Sequence, residues 1–275
     1  MRTYDFFSVT KPLTANAETV TFSGTDCRPD RCVELHICLA NASGASGHTV
    51  NRISRVKIWA GSTQIINATL AQIRVLQQRM GWSNTPIATT AGVLTIPFSL
   101  LDAPTIEQGD VCQFPSGVNM TVELTLAASG GSGSGTAMLA YTYTDVKPVV
   151  FPTYYAQAMN VPASTLQQYP LSDGGEIRGF AMSVVGINRL RWVIAGRQFL
   201  QLSGDTFSPC AVDLLGYSQN LYDGTTITTS RYFSAPWGTS VVSGASFLEL
   251  DTGSTWGGAT TEIALHTVHD LGQLR

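Results

Sequence analysis

The chain carries one pattern twice, and that repeat limits its architecture more than any other feature. A hairpin of Arg55-Val56-Lys57-Ile58-Trp59-Ala60, turning at Gly61-Ser62-Thr63 into Gln64-Ile65-Ile66, is matched by Arg189-Leu190-Arg191-Trp192-Val193-Ile194-Ala195-Gly196 and beyond. Laying Gly61 on Gly196 gives an offset of 135. Each hairpin leads into a segment with helix-start chemistry, then a strand, a second strand, a glycine-rich loop and a last strand. The last strands, Thr136 to Val146 and Thr261 to Leu271, align with Asp145 on Asp270 at an offset of 125. The second unit is therefore about ten residues shorter after its helix, a change that a loop absorbs.

Within each copy the periodicity is mostly that of strands. Val56, Ile58 and Ala60 alternate with Arg55, Lys57 and Trp59, so one face of the hairpin is expected in a core. Further strands are expected over 93–98, 120–126, 137–143, 177–185, 190–194, 199–202, 226–233, 247–250 and 262–268. Helical spacing is rare. From Thr69 to Met80, Leu70, Ile73, Leu76 and Met80 line one face, Thr69 and Gln72 fit a reciprocal capping box, and Gly81 follows as a stop. This stripe is expected to pack on an end or flank of the first sandwich. A shorter helix is expected from Pro209 to Leu215, capped by Ser208 and ended by Gly216.

The repeat also places the boundary. Ser129 to Gly135 resembles a linker in isolation, but in register it matches Gly253 to Gly258 and reads as a hairpin loop inside the first unit. The division is expected near Lys147-Pro148-Val149-Val150-Phe151-Pro152, where prolines stop a strand, giving units 1–147 and 148–275.

Composition narrows the function. Charged residues are 13% and lysine occurs only at Lys11, Lys57 and Lys147, with a net charge of −3. Such a surface has no basic stripe for sequence-specific or phosphate-led nucleic-acid binding, and it is cheap to desolvate against neighbours. No window reaches 18 uncharged apolar residues, and the first 13 residues do not read as a signal peptide. The five cysteines (Cys27, Cys32, Cys38, Cys112 and Cys210) form no framework and read as free thiols. Cys27 and Cys32 flank Arg28-Pro29-Asp30-Arg31, which reads as a loop, with a disulfided turn or half a zinc site as the other options.

No catalytic constellation, cofactor site or metal site emerges. The glycine loop lacks the Lys-Ser/Thr of a phosphate loop, and no G-x-S-x-G elbow is present. Of the four histidines (His36, His48, His266 and His269), the last two are three apart on a strand and point to opposite faces. Asp102, Glu107 and Asp110, and Asp173 with Glu176, lie in loop-like segments as solvated acids; a structural Ca²⁺ there has no supporting motif. Three glycosylation triplets, at Asn41, Asn67 and Asn119, read as idle without a secretion signal. Tyr154, Tyr155, Trp237 and Trp256, in loop-like segments, are the candidate interface aromatics, with packed core aromatics as the alternative.

The hairpin from Arg55 to Ile66, the helix from Thr69 to Met80 and the strand from Gly92 to Phe98, set in this two-unit plan, resemble the double jelly-roll major capsid proteins of tailless, membrane-containing icosahedral bacteriophages, the corticovirus type in particular. The resemblance implies an all-β chain of two tandem eight-stranded jelly-roll sandwiches, each with a short helix after a hairpin, and no enzymatic activity. It implies self-association into pseudo-hexagonal homotrimers and then a shell around a membrane and genome. Neighbouring trimers, penton and minor capsid proteins and the viral membrane or its proteins would be the partners. The place of the protein would be the virion, after synthesis in the host cytoplasm. Three other readings are open: a carbohydrate- or receptor-binding sandwich using Trp237, Trp256, Tyr222 and Tyr232; a glycoside hydrolase, which needs a facing carboxylate pair that is not evident; and a single jelly roll with long insertions.

Overall fold

The computed structural model describes the chain apart from residues 28, 80–91, 101–102, 161–165, 172–173, 184–186, 195, 204–220, 223–226, 229, 235–245, 253–259 and 275. The expected helix from Pro209 to Leu215 lies outside the described residues, as do Cys210, Trp237, Trp256, Asp102 and Asp173.

The first part of the chain forms β1 (Arg2–Leu13), β2 (Glu18–Ser23), β3 (Cys32–Asn41), the hairpin β4 (Ile53–Ala60) and β5 (Thr63–Thr69), helix α1 (Leu70–Arg79), β6 (Gly92–Pro97), a one-turn helix α2 (Ile106–Gly109), β7 (Met120–Leu126) and β8 (Gly135–Thr144). One sheet runs β1-β8-β3-β6; β5, β4, β7 and β2 face it from a second. Alternation supplies the inner faces: Leu35, Ile37 and Leu39 of β3 meet Val56 and Ile58 of β4 and Val122 and Leu124 of β7, all fully buried.

The second part repeats the plan with β9 (Val150–Asn160), β10 (Leu166–Leu171), β11 (Glu176–Ser183), the hairpin β12 (Ile187–Ile194) and β13 (Arg197–Ser203), then the short pair β14 (Leu221–Tyr222) and β15 (Ile227–Thr228), β16 (Ser230–Ser234), β17 (Ser246–Thr252) and β18 (Thr260–Asp270). Its sheets run β10-β17-β12-β13 and β16-β11-β18-β9. Its core holds Phe180, Trp192, Leu248, Leu250, Ile263 and Leu265. Trp192 meets Phe180 edge to face at 5.1 Å and donates its Nε1–H to Ser246 Oγ at 2.8 Å, so the buried indole leaves no polar atom unpaired.

The two units are joined edge to edge. β9 pairs in parallel with β5 through Ile66 opposite Tyr154 and Asn67 opposite Tyr155, which fuses a sheet of each unit into eight strands ordered β16-β11-β18-β9-β5-β4-β7-β2.

Irregularities in the ladders fix the repeat to the residue. The β4–β5 pairing slips between Ile58 and Trp59, and β12–β13 slips between Trp192 and Val193. The β4–β7 pairing slips between Ile53 and Arg55, and β12–β17 between Ile187 and Arg189. The β3–β8 pairing slips between Cys32 and Glu34, and β11–β18 between Ile177 and Gly179. Superimposing these bulges lays Arg55 on Arg189 and Tyr143 on Thr267, offsets of 134 and 124, each one residue from the sequence alignment. In the hairpins the glycine anchor caused the slip. Gly196 stands immediately before the first residue of β13, whereas Gly61 stands two before the first of β5, although both have positive φ (75° and 60°). In the corrected register a cross-strand ion pair recurs as well: Lys57–Glu123 in the first unit and Arg191–Glu249 in the second, each at 2.7 Å.

Three expectations change. Ser129 to Gly135 is no hairpin loop, because β7 and β8 belong to different sheets and the segment crosses between them. It packs on residues 42–47, where Ser46 N–H donates to the Ser132 carbonyl at 3.0 Å, and a Cβ at Gly131 would stand 2.4 Å from the Ser46 carbonyl oxygen. Tyr154 and Tyr155 lie in β9 and not in a loop. Helix α1 begins with the expected capping box, Gln72 N–H donating to Thr69 Oγ1 at 3.3 Å and Thr69 N–H to Gln72 Oε1 at 2.9 Å, but it rests on β11 and β16 of the second unit as well as on the first.

Candidate assembly interface

The seam between the units is a contact surface built from named side chains of both. Tyr154, 2% exposed, comes up from β9 and donates its hydroxyl to the Gln72 carbonyl of α1 at 2.9 Å. Its ring stands edge-on to His266 of β18 at 6.0 Å. Burial pushes the His266 imidazole down to about 4, with Arg178 adding in the same direction, so the ring is neutral at pH 7. Ile73, Val75 and Leu76 of α1 share a core with Ala156 of β9, Ala181 of β11 and Ala264 of β18. Small residues on the sheet let the helix lie close. Arg55 of β4 closes the seam with two 2.7 Å contacts to the Glu262 carboxylate of β18 and a 2.8 Å bond to Asn67.

On the opposite flank of the first unit the corresponding sheet face is buried at Ala140 and Thr142, 2% and 0% exposed, and one large side chain stands out from it. In the bulge register β1 corresponds to β9, and Tyr4, opposite Thr142, corresponds to Tyr154, opposite His266. Tyr4 is 68% exposed, and its ring lies 6.4 Å from that of His36. Val93, on the edge strand β6 of the same sheet, is 49% exposed.

Beneath Tyr4 the sheet is held by a polar network. The Arg2 guanidinium bonds Glu34 at 2.7 Å and Asp110 at 2.6 and 3.2 Å. His36 lies between the hydroxyls of Thr95 at 2.8 Å and Thr142 at 2.7 Å. Burial lowers the His36 pKa against the opposing pull of Glu34. Asp110 corrects its expected place among solvated acids, being 1% exposed and paired across the fold. Glu107 is exposed, as expected of a loop acid, although it belongs to the short helix α2, and Glu176 is half-buried beside Arg178 at 3.3 Å.

His266 and His269 do stand on opposite faces, His266 against Tyr154 and His269 within reach of the Thr267 hydroxyl at 2.9 Å. Among the described residues no group of three or more His, Cys, Asp or Glu side chains could hold a metal ion. Cys27, Cys32 and Cys112 are buried free thiols, their pKa values raised by burial, to about 11 for Cys27. No described helix is long and apolar enough to cross a membrane.

No protein-family model matches the sequence. No curated protein matches it either. Solved structures do. The major capsid protein P2 from bacteriophage PM2 is similar over 98% of both chains at a TM-score of 0.69 and 13% identity. The STIV major capsid protein matches 98% of this chain and 97% of its own at 0.61 and 12% identity, and the PBCV-1 virus capsid 98% and 94% at 0.53 and 10% identity. Two sandwiches in tandem, the edge-to-edge seam and these likenesses give the same conclusion: the chain has the double jelly-roll fold of viral major capsid proteins.

Proposed function

We propose that this chain is a major capsid protein, a structural subunit that self-associates into pseudo-hexagonal homotrimers and, with neighbouring trimers, builds an icosahedral shell around a membrane and genome. The observation that carries the reading is the match to the bacteriophage PM2 capsid protein over nearly the full length of both chains. The units are residues 1–147 and 148–275, divided at Lys147-Pro148 ahead of β9. Penton and minor capsid proteins and the viral membrane or its proteins complete the set of partners, and the protein acts in the virion after synthesis in the host cytoplasm. Its chemistry is association, with no reaction catalysed.

Physical features support this. The low content of charge lowers the desolvation cost of contact, and three copies of an unequal pair close a ring through heterologous contacts. Electron microscopy of the purified chain tests the reading: trimers of hexagonal outline or regular particles are expected, and isolated small particles at every concentration would refute it.

A further inference from the structure

The chain already contains one copy of a contact that its two outer edges are shaped to make again. Within the molecule, β5 of the first unit adds in parallel to β9 of the second. The bulge register makes β13 the counterpart of β5 and β1 the counterpart of β9. Both counterparts are terminal: β13 ends the order β10-β17-β12-β13, and β1 begins the order β1-β8-β3-β6. Among the described residues neither has a strand on its outer side, and such an edge is a ready template for pairing with another chain.

We propose that β13 of one copy adds in parallel to β1 of the next, repeating the internal seam between molecules, with Leu200 opposite Tyr4 and Gln201 opposite Asp5. The register follows from the seam itself. Ile66 and Asn67 map to Leu200 and Gln201, and Tyr154 and Tyr155 map to Tyr4 and Asp5. The number of copies in the ring rests on the shell-subunit reading; the pairing rests on the repeat.

Two observations favour a second copy as the occupant. Tyr4 is 68% exposed where its counterpart Tyr154 is 2% exposed, so the edge carries the aromatic of a covered seam with no cover. The edge is also pre-ordered. β1 is paired to β8 over Arg2–Phe6 and again over Thr10–Leu13, with an irregularity between Phe6 and Thr10, and Arg2 is tied to Glu34 and Asp110, so the segment around Tyr4 loses little backbone freedom on docking. The contact is heterologous, one edge meeting a different edge, and it has to close into a ring or it grows as a filament.

Paired cysteines test the register in the full-length chain. Strand neighbours bring Cα atoms within disulfide reach. The double variant Asp5→Cys with Gln201→Cys should link between chains under mild oxidation, giving a ladder that stops at three chains. Asn67→Cys with Tyr155→Cys, at the internal seam, should link within one chain, and each single variant should stay unlinked. Tyr4→Glu, a change at an exposed side chain, should leave the fold intact by circular dichroism and raise the concentration for half-assembly at least about tenfold, the effect of ~1.4 kcal/mol. Assembled wild-type protein combined with an unlinked Asp5/Gln201 pair and a linked Asn67/Tyr155 pair would overturn the pairing and leave the shell reading standing. Tyr4→Glu assembling like the wild type would also overturn it. A wild-type chain that never self-associates would end both.

Discussion

Arg2 sets the stability of the N-terminal edge. It is the cation shared by Glu34 and Asp110, whose side chains are almost fully buried. Arg2→Ala would leave two carboxylates buried without a partner, so a loss of about 3 kcal/mol is expected in urea unfolding at pH 7. A loss below about 0.5 kcal/mol would mean that water replaces the guanidinium at no cost. His266 gives a pH-dependent signal. Its folded pKa of about 4 lies below the ordinary 6.5, so the unfolded chain binds the proton first as pH falls. Stability on this account is complete above pH 6.5 and is lost between 6.5 and 4, by about 2 kcal/mol on going from pH 7.5 to 5. The charged group that bears on the ring is Arg178, which acts in the same direction. His266→Gln should flatten that part of the stability profile relative to the wild type; equal slopes would contradict a buried neutral ring. None of this was legible beforehand. Sequence spacing put His266 on a face but not under Tyr154, and Asp110 lies 108 positions from the arginine that neutralises it.

Among the elements, α1 was the most legible, because a capping box and a 3.6-residue stripe are local signals. Thr69→Ala should cost about 1 kcal/mol by removing the cap, and Leu76→Ala, at a position 4% exposed, about 2–5 kcal/mol by leaving a cavity. Because Leu76 shares its core with Ala181 and Ala264, the second change should also loosen the second unit, which hydrogen exchange in β11 and β18 would report. Unchanged exchange there would mean that the helix serves the first unit alone. The hairpins were legible for the same local reason, the alternation in Arg55 to Ala60. The strands β1, β2, β3, β9 and β10 were not. β9 has a proline within it and two adjacent tyrosines, both paired across the seam, which hides the period of two. β1 is an edge whose side chains include Arg2, Asp5 and Lys11, so its pattern reports pairing partners more than burial. The register of the hairpins was legible only to one residue, because a turn glycine can occupy either turn position while a bulge cannot move without turning side chains over.

At the scale of the molecule the parallel seam is what makes the two sandwiches one body, and it is the contact that a shell subunit would reuse. Permanent homo-oligomers bury more than the ~1,200–2,000 Å² of an ordinary interface, so the trimer contact is expected to exceed that range and the contacts between trimers to fall below it. Dilution should therefore take particles to trimers well before trimers come apart. Two tandem sandwiches were legible from the repeat; their edge-to-edge fusion was not, because two paired residues leave no periodic trace in 275. The measurement that bears most directly on the proposal of a self-assembling shell subunit is the mass of the freshly purified full-length chain by light scattering across the micromolar range. A mass of three times 29.4 kDa, or of particles built from such trimers, is the predicted result, and a chain that stays at 29.4 kDa at every concentration would contradict it.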